Sequence, residues 1–216
     1  MISLVLLTRK SEIIPTADNH FMREDDVSFR MKNPITGLES MCRASLAHTQ
    51  SIENLVGVAP FIRSAKNDQD GEGHRYYFPT LVTQTEKAFC FATELFLWAQ
   101  RAKPLPGDPF LTYRGPLMPA PRWLGYKTFL IAIKLSAKYN DFDPTRFGTH
   151  SLRIGGATIL AAAGLPNHYI QKMGRWKSLT FLQYINLACK SMETALHSLV
   201  DPTQFTNDQL RILNPM

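Results

Sequence analysis

The sequence predicts an α+β fold, mainly helical, with a small antiparallel sheet. Three observations lead there. Hydrophobic residues make up 44% of the 216 and charged residues 19%, which is enough apolar content for a buried core. Helical periodicity covers six stretches of the chain. Two β-rich runs, "VGVAPFIR" at 56–63 and "HRYYFP" at 74–79, flank the polar "SAKNDQDGEG" and read as a hairpin with a long tip.

In chain order, residues 2–13 read as a helix, followed by the polar "PTADNHFMREDD" and a strand at 27–31. "REDD" at 23–26 reads as a solvated acidic turn. The hairpin follows, then an amphipathic helix at 84–102. "KPLPGDPFLTYRGPLMPAPR" is rich in Pro and Gly and must be a loop. Helices are expected at about 121–139, 150–163, 166–173 and 179–199. No linker or repeat divides the chain, so 1–200 is one domain and 201–216 a polar tail.

Net charge is +6, which favours a polyanionic partner. Cys42, Cys90 and Cys189 are odd in number and far apart, so they read as reduced buried thiols of an intracellular protein. The opening "MISLVLLTRK" is apolar for only seven residues and lacks the layout of a signal peptide, and no membrane span is expected. "DQDGEG" at 68–73 imitates the start of a calcium loop, but Pro79 stands where the closing glutamate belongs. No metal or cofactor is expected.

The stretch "GTHSLRIGGATILAAAG" at 148–164 carries the functional signal. Thr149 is a good N-cap and Gly164 a good stop, with an apolar helix between them. His150 and Arg153 then lie on one face, a turn apart. A purely structural helix needs no imidazole and guanidinium at its N-terminal end, whereas an anion site does. After it, "AAGLPNHYIQKMGRWKSLTFLQYI" starts a short helix at Pro166, stops at Gly174 and restarts at Ser178. Read alone, this rhythm also suits a helix-turn-helix module, with Tyr184 as a packing residue.

Four blocks, in order, resemble the catalytic domain of the tyrosine recombinases (the phage-integrase family), and are most similar to the Crypton and DIRS-like mobile-element branch. "LLTRKSEIIP" resembles the first-arginine block and places that role on Arg9; "FIRSAKNDQDGEGHRYYFP" resembles the hairpin that carries the family's lysine, placing it on Lys66. "THSLRIGGATILAAAG" matches the His-x-x-Arg block with His150 and Arg153. "MGRWKSLTFLQYI" puts Arg175 where His or Trp is commoner, and Tyr184 nine residues on as nucleophile. The likeness spans roughly residues 1 to 190.

The resemblance implies site-specific recombination of double-stranded DNA through a 3′-phosphotyrosine, without metal, by a protein that works as a tetramer on DNA. Two arginines, Arg9 and Arg153, would hold the non-bridging oxygens of the pentacoordinate transition state. Lys66 would protonate the 5′-oxygen leaving group, and His150 would assist proton transfer at the nucleophile. Arg175 would be a third cation on the phosphate, with Trp176 packed behind it. Tyr169, His48, His74, His168 and His197 are expected to have no catalytic role, and Tyr169 to pack. Two other readings compete: a catalytically inactive DNA-binding remnant, and a helix-turn-helix regulator, which leaves the Arg9 and Lys66 blocks unexplained. In a eukaryotic cell the expected location is the nucleus, and otherwise the cytoplasm.

Family members carry a DNA-clamping domain and further helices ahead of the first-arginine block, whereas eight residues precede Arg9 here. The expectation is an N-terminally truncated catalytic domain whose first helix leaves apolar surface uncovered, and which binds DNA weakly and cleaves it poorly.

Overall fold

The computed structural model describes residues 2–15, 21–63, 72–81, 90–113 and 122–185, the last including Tyr184 by its backbone alone. Within these limits the chain is α+β with a small antiparallel sheet. The helices are α1 (Ile2–Val5), α2 (Lys10–Ile13), α3 (Phe91–Ala102), α4 (Tyr126–Tyr139), α5 (Ser151–Ala162) and α6 (Asn167–Gly174). The strands are β1 (Val27–Lys32), β2 (Glu39–Arg43), β3 (Leu55–Ile62), β4 (His74–Arg75) and β5 (Phe78–Pro79), with β6 (Thr112–Tyr113) and β7 (Arg122–Trp123) as a separate pair.

The main sheet runs β2-β1-β3-β4, with β5 also on β3. Period-two alternation governs β1: Val27, Phe29 and Met31 are buried, while Arg30 and Lys32 face solvent. Helix α3 covers that apolar face with Phe91, Leu95, Phe96, Ala99 and Ala102, spaced three and four apart. Phe96 meets Phe29 edge-on at 5.1 Å, a contact worth about 0.5–1.5 kcal/mol beyond burial. The expected hairpin is present, because β4 and β5 both return antiparallel along β3.

A second, smaller core gathers Ala157 of α5, Ile170 of α6 and Phe181 of the 3-10 turn Leu179–Tyr184, with Leu7 and Trp176 from the connections between elements. Leu6 belongs to the first core and Leu7 to the second, so one peptide step crosses between them. Leu7 makes that step at φ +50°. Accordingly, the single helix expected over 2–13 is two short ones, α1 and α2, with a turn between. The apolar surface expected to lie bare there is covered: Leu6, Leu7, Ile13 and Ile14 are all buried.

Three further expectations are corrected. "REDD" is no solvated turn: Glu24 and Asp26 are buried, and Asp25 and Asp26 each pair with Arg63 at 2.7 Å. Burial pushes the Asp26 carboxyl up, against the opposing pull of Arg23 and Arg63. Tyr169 does not pack in the core; it is 56% exposed, beside His168. Of the cysteines, Cys90 is buried, Cys42 is only partly so, and Cys189 lies outside the described residues. Among the described residues no helix is long and apolar enough to cross a membrane.

Candidate functional site

The seam between the two cores holds the ionic groups. Turning the chain at Leu6 and Leu7 removes their carbonyls from any helix ladder, and buried carbonyls need donors. Two arginines supply them. Arg153, in the first turn of α5, is 1% exposed and donates Nη1 to the Leu7 carbonyl and Nη2 to that of Gly174 at 2.5 Å. Its guanidinium lies 4.2 Å from the Trp176 ring centroid, a cation–π stack inside the second core.

Arg175 reaches the same turn from the other side. Its Nη1 donates to the carbonyls of Leu6 (3.1 Å) and Met173 (2.9 Å) and to the Tyr76 hydroxyl (3.0 Å). Its Nη2 donates to the Leu7 carbonyl at 3.3 Å and to Glu12 Oε2 at 2.6 Å. Both side chains of this ion pair are almost wholly buried. Tyr76, in turn, donates to the Met173 carbonyl, so the returning arm of the β3 hairpin is tied to the end of α6.

Local sequence explains how Arg175 gets there. Helix α6 stops with Arg175 in the left-handed region at φ +57°, while the Arg175 and Trp176 amides return to the Lys172 and Gln171 carbonyls. The glycine usual at such a position stands one residue earlier. Gly174 is needed for space: a Cβ there would fall 1.6 Å from Trp176 Cζ3.

Glu12 was not singled out in the sequence, and it is the hub of the cluster. Its Oε1 accepts from Arg9 Nη1 at 3.2 Å, and Oε2 accepts from the Arg9 amide at 2.8 Å as well as from Arg175. The signal was the Arg-x-x-Glu spacing at 9–12, which puts a carboxylate one turn into α2, where it caps the Arg9 amide. Arg9 keeps 25% of its side chain exposed, more than either of the other two arginines.

His150 occupies the N-cap position of α5, displacing Thr149 from its expected role. Its imidazole is held below the ordinary histidine range, first by burial and then by the positive charges of Arg153 and Arg9. Arg9 thus lies near enough to act on His150 electrostatically, although the two are far apart in sequence. Gly164 ends α5 as expected, at φ +80°, with its amide and that of Leu165 returning to the Ala161 and Leu160 carbonyls.

Of the six expected site residues, the fold gathers Arg9, His150, Arg153 and Arg175. The backbone of Tyr184 closes the 3-10 turn whose Phe181 packs on Trp176, and its side chain is outside the described residues, as is all of Lys66. One expectation is corrected by this geometry: Arg175 is not offered to a surface phosphate but is committed to Glu12, three carbonyls and Tyr76. Lys32, the last residue of β1, is exposed.

Two guanidinium groups, Arg9 and Arg175, share the Glu12 carboxylate, and Arg153 meets Arg175 at the Leu7 carbonyl, so the cluster is cationic and suited to an anion on its Arg9 side. An apolar groove of about 350 Å³ between α4 and α5, lined by Ile133, Phe142, Phe147 and Leu152 among others, contains none of these groups. Among the described residues no group of three or more His, Cys, Asp or Glu could hold a metal ion. Comparison with protein-family models, curated proteins and solved structures finds no match to this chain.

Proposed function

We propose that this chain is a DNA strand transferase of the tyrosine-recombinase kind, with the fold of that family's catalytic core. The observation that carries the reading is the meeting of Arg9, Arg153 and Arg175, from three separate blocks, around the Leu6–Leu7 turn and Glu12, with His150 at the head of the helix that carries Arg153. In the proposed reaction the Tyr184 oxygen attacks a DNA phosphorus, the bond to the 5′-oxygen breaks, and that oxygen takes a proton from Lys66. Arg9 and Arg153 stabilise the extra charge on the non-bridging oxygens, and His150, with its lowered pKa, accepts the tyrosine proton. Arg175 acts as framework, holding the turn and the hairpin. The partner is double-stranded DNA, in the nucleus if the cell is eukaryotic, with the protein assembled as a tetramer on DNA.

A second reading rests on a specific observation. Arg153 donates to two carbonyls and is enclosed by Trp176, so it would have to exchange partners to touch a phosphate. That favours a non-catalytic DNA-binding remnant. A nicked suicide duplex separates the two, because cleavage traps protein on DNA in a band that survives denaturation. Strand transfer predicts this band for the native chain and none for Tyr184→Phe. A band that persists in Tyr184→Phe would remove Tyr184 from the role, and DNA binding without any band would favour the remnant.

A further inference from the structure

We propose that the outer edge of β2 is a two-fold interface at which a second copy of this chain adds its own β2, continuing the sheet antiparallel. This inference stands apart from the strand-transfer reading and needs no DNA.

Among the described residues β2 pairs with β1 alone, leaving its far edge open. The Asn33 amide donates to the Leu38 carbonyl, so residues 33 and 38 form a hydrogen-bonded pair. Counting back along the register by twos, the pairs Met31–Ser40 and Phe29–Cys42 bond across to β1. The peptide groups of Glu39, Met41 and Arg43 therefore point away from β1, toward the open edge.

These three residues read as their own complement. A two-fold axis at Met41 sets Met41 against Met41 of the other copy and Glu39 against its Arg43, twice over. The Arg43 carbonyl already opens the Ala44–Thr49 turn, so the Met41 peptide groups, the Arg43 amides and the Glu39 carbonyls give about four backbone hydrogen bonds across the axis. Shifting the register by one residue on each strand would lose the opposite-charge match. Side chains 39, 41 and 43 share one face, so Glu39, which pairs with Arg30 at 2.6 Å in its own chain, would lie between two guanidinium groups.

Exposure beyond the strand supports the same axis. Continuing the alignment places the 33–38 turn of one copy along the Ala44–Thr49 turn of the other. The first presents Ile35 at 92% and Leu38 at 72% exposure, and the second presents Leu46 at 52%. Met41 itself is 56% exposed at the centre. Open edges invite pairing, and proteins that do not use them commonly guard them with lysine or proline. Residues 39–43 contain neither. An isologous contact of this kind uses up the edge and closes at two copies.

Sedimentation velocity over a concentration series tests the interface. The native chain is expected to shift from monomer to dimer and no further. Met41→Pro removes an outward N–H and no bond to β1, so it should leave a folded monomer. Arg43→Glu opposes Glu39 with a like charge at both ends and should weaken dimerisation about tenfold or more while circular dichroism stays unchanged. If Met41→Pro fails to fold, Arg43→Glu alone decides. A native chain that stays monomeric at its highest soluble concentration would overturn the proposal. So would open-ended oligomers, or a dimer that Arg43→Glu leaves intact.

Discussion

At the residue scale, the unexpected result is the division of labour among three arginines. Arg9, Arg153 and Arg175 look equivalent as sequence, yet burial separates them: Arg9 is partly open, while the other two serve carbonyls and a carboxylate inside the protein. A buried ion pair gains little over an apolar replacement, but removing one partner strands the other, at a cost of about 3–5 kcal/mol. Arg175→Ala should therefore lower the thermal midpoint sharply, because Glu12 would remain buried with only Arg9 beside it. Arg9→Ala, at a position that is one-quarter exposed, should cost far less. Denaturant melts of the two variants check this ordering, and equal losses would mean that Arg175 is not the structural anchor described.

At the element scale, helix ends decide where the site residues point. Helices α5 and α6 finish with the same pair of returning amides, but the left-handed residue is Gly164 in one and Arg175 in the other. Nothing lies within 4 Å of a Cβ at Gly164, so Gly164→Ala should cost about 1 kcal/mol through backbone strain alone. Gly174→Ala meets the Trp176 ring and must displace it, with a cost of about 1–3 kcal/mol or more, and it should change the Trp176 fluorescence environment. Urea titrations followed by tryptophan emission separate the two. A Gly174→Ala protein with native emission would contradict the packing of Trp176 against the helix end.

At the scale of the whole molecule, two cores are joined through a narrow polar seam. Glu12 sits on α2, beside the first core, while Arg175 and Arg153 belong to the second, and the Leu6–Leu7 step lies between. Glu12→Ala should loosen this joint without emptying either core. Amide hydrogen exchange is then expected to speed up in α5 and α6, while β1, β3 and α3 keep their protection. Uniform acceleration across both regions would mean that the cores unfold as one unit irrespective of Glu12. The same seam carries the candidate site, so any change that loosens it should also lower the strand transfer proposed above.

Much of this was legible in the sequence, for a physical reason. Side-chain periodicity reports which face of a helix or strand is buried, so α3, β1, the β3 hairpin and the α5–α6 pair could be placed from local pattern. Gly164 marked a helix end because its conformation is unusual for other residues. His150 and Arg153 were found because one helical turn brings them together. The rest depended on contacts between distant residues. The break after α1 follows from carbonyls claimed by Arg153 and Arg175, and the Glu12–Arg175 bond joins positions 163 apart in the chain. The burial of Asp26 is matched by Arg63, from another strand end, and buried Glu24 accepts from the Ser45 amide, 21 positions away. The sequence by itself therefore determined α3, β1, the β3 hairpin, the α5–α6 pair and the residue types gathered at the site, but not β2 or the β6–β7 pair, whose first strand lies in a stretch read as loop. Only the tertiary structure decided which of the charged groups are buried, because burial of a charge depends on partners that local pattern does not encode.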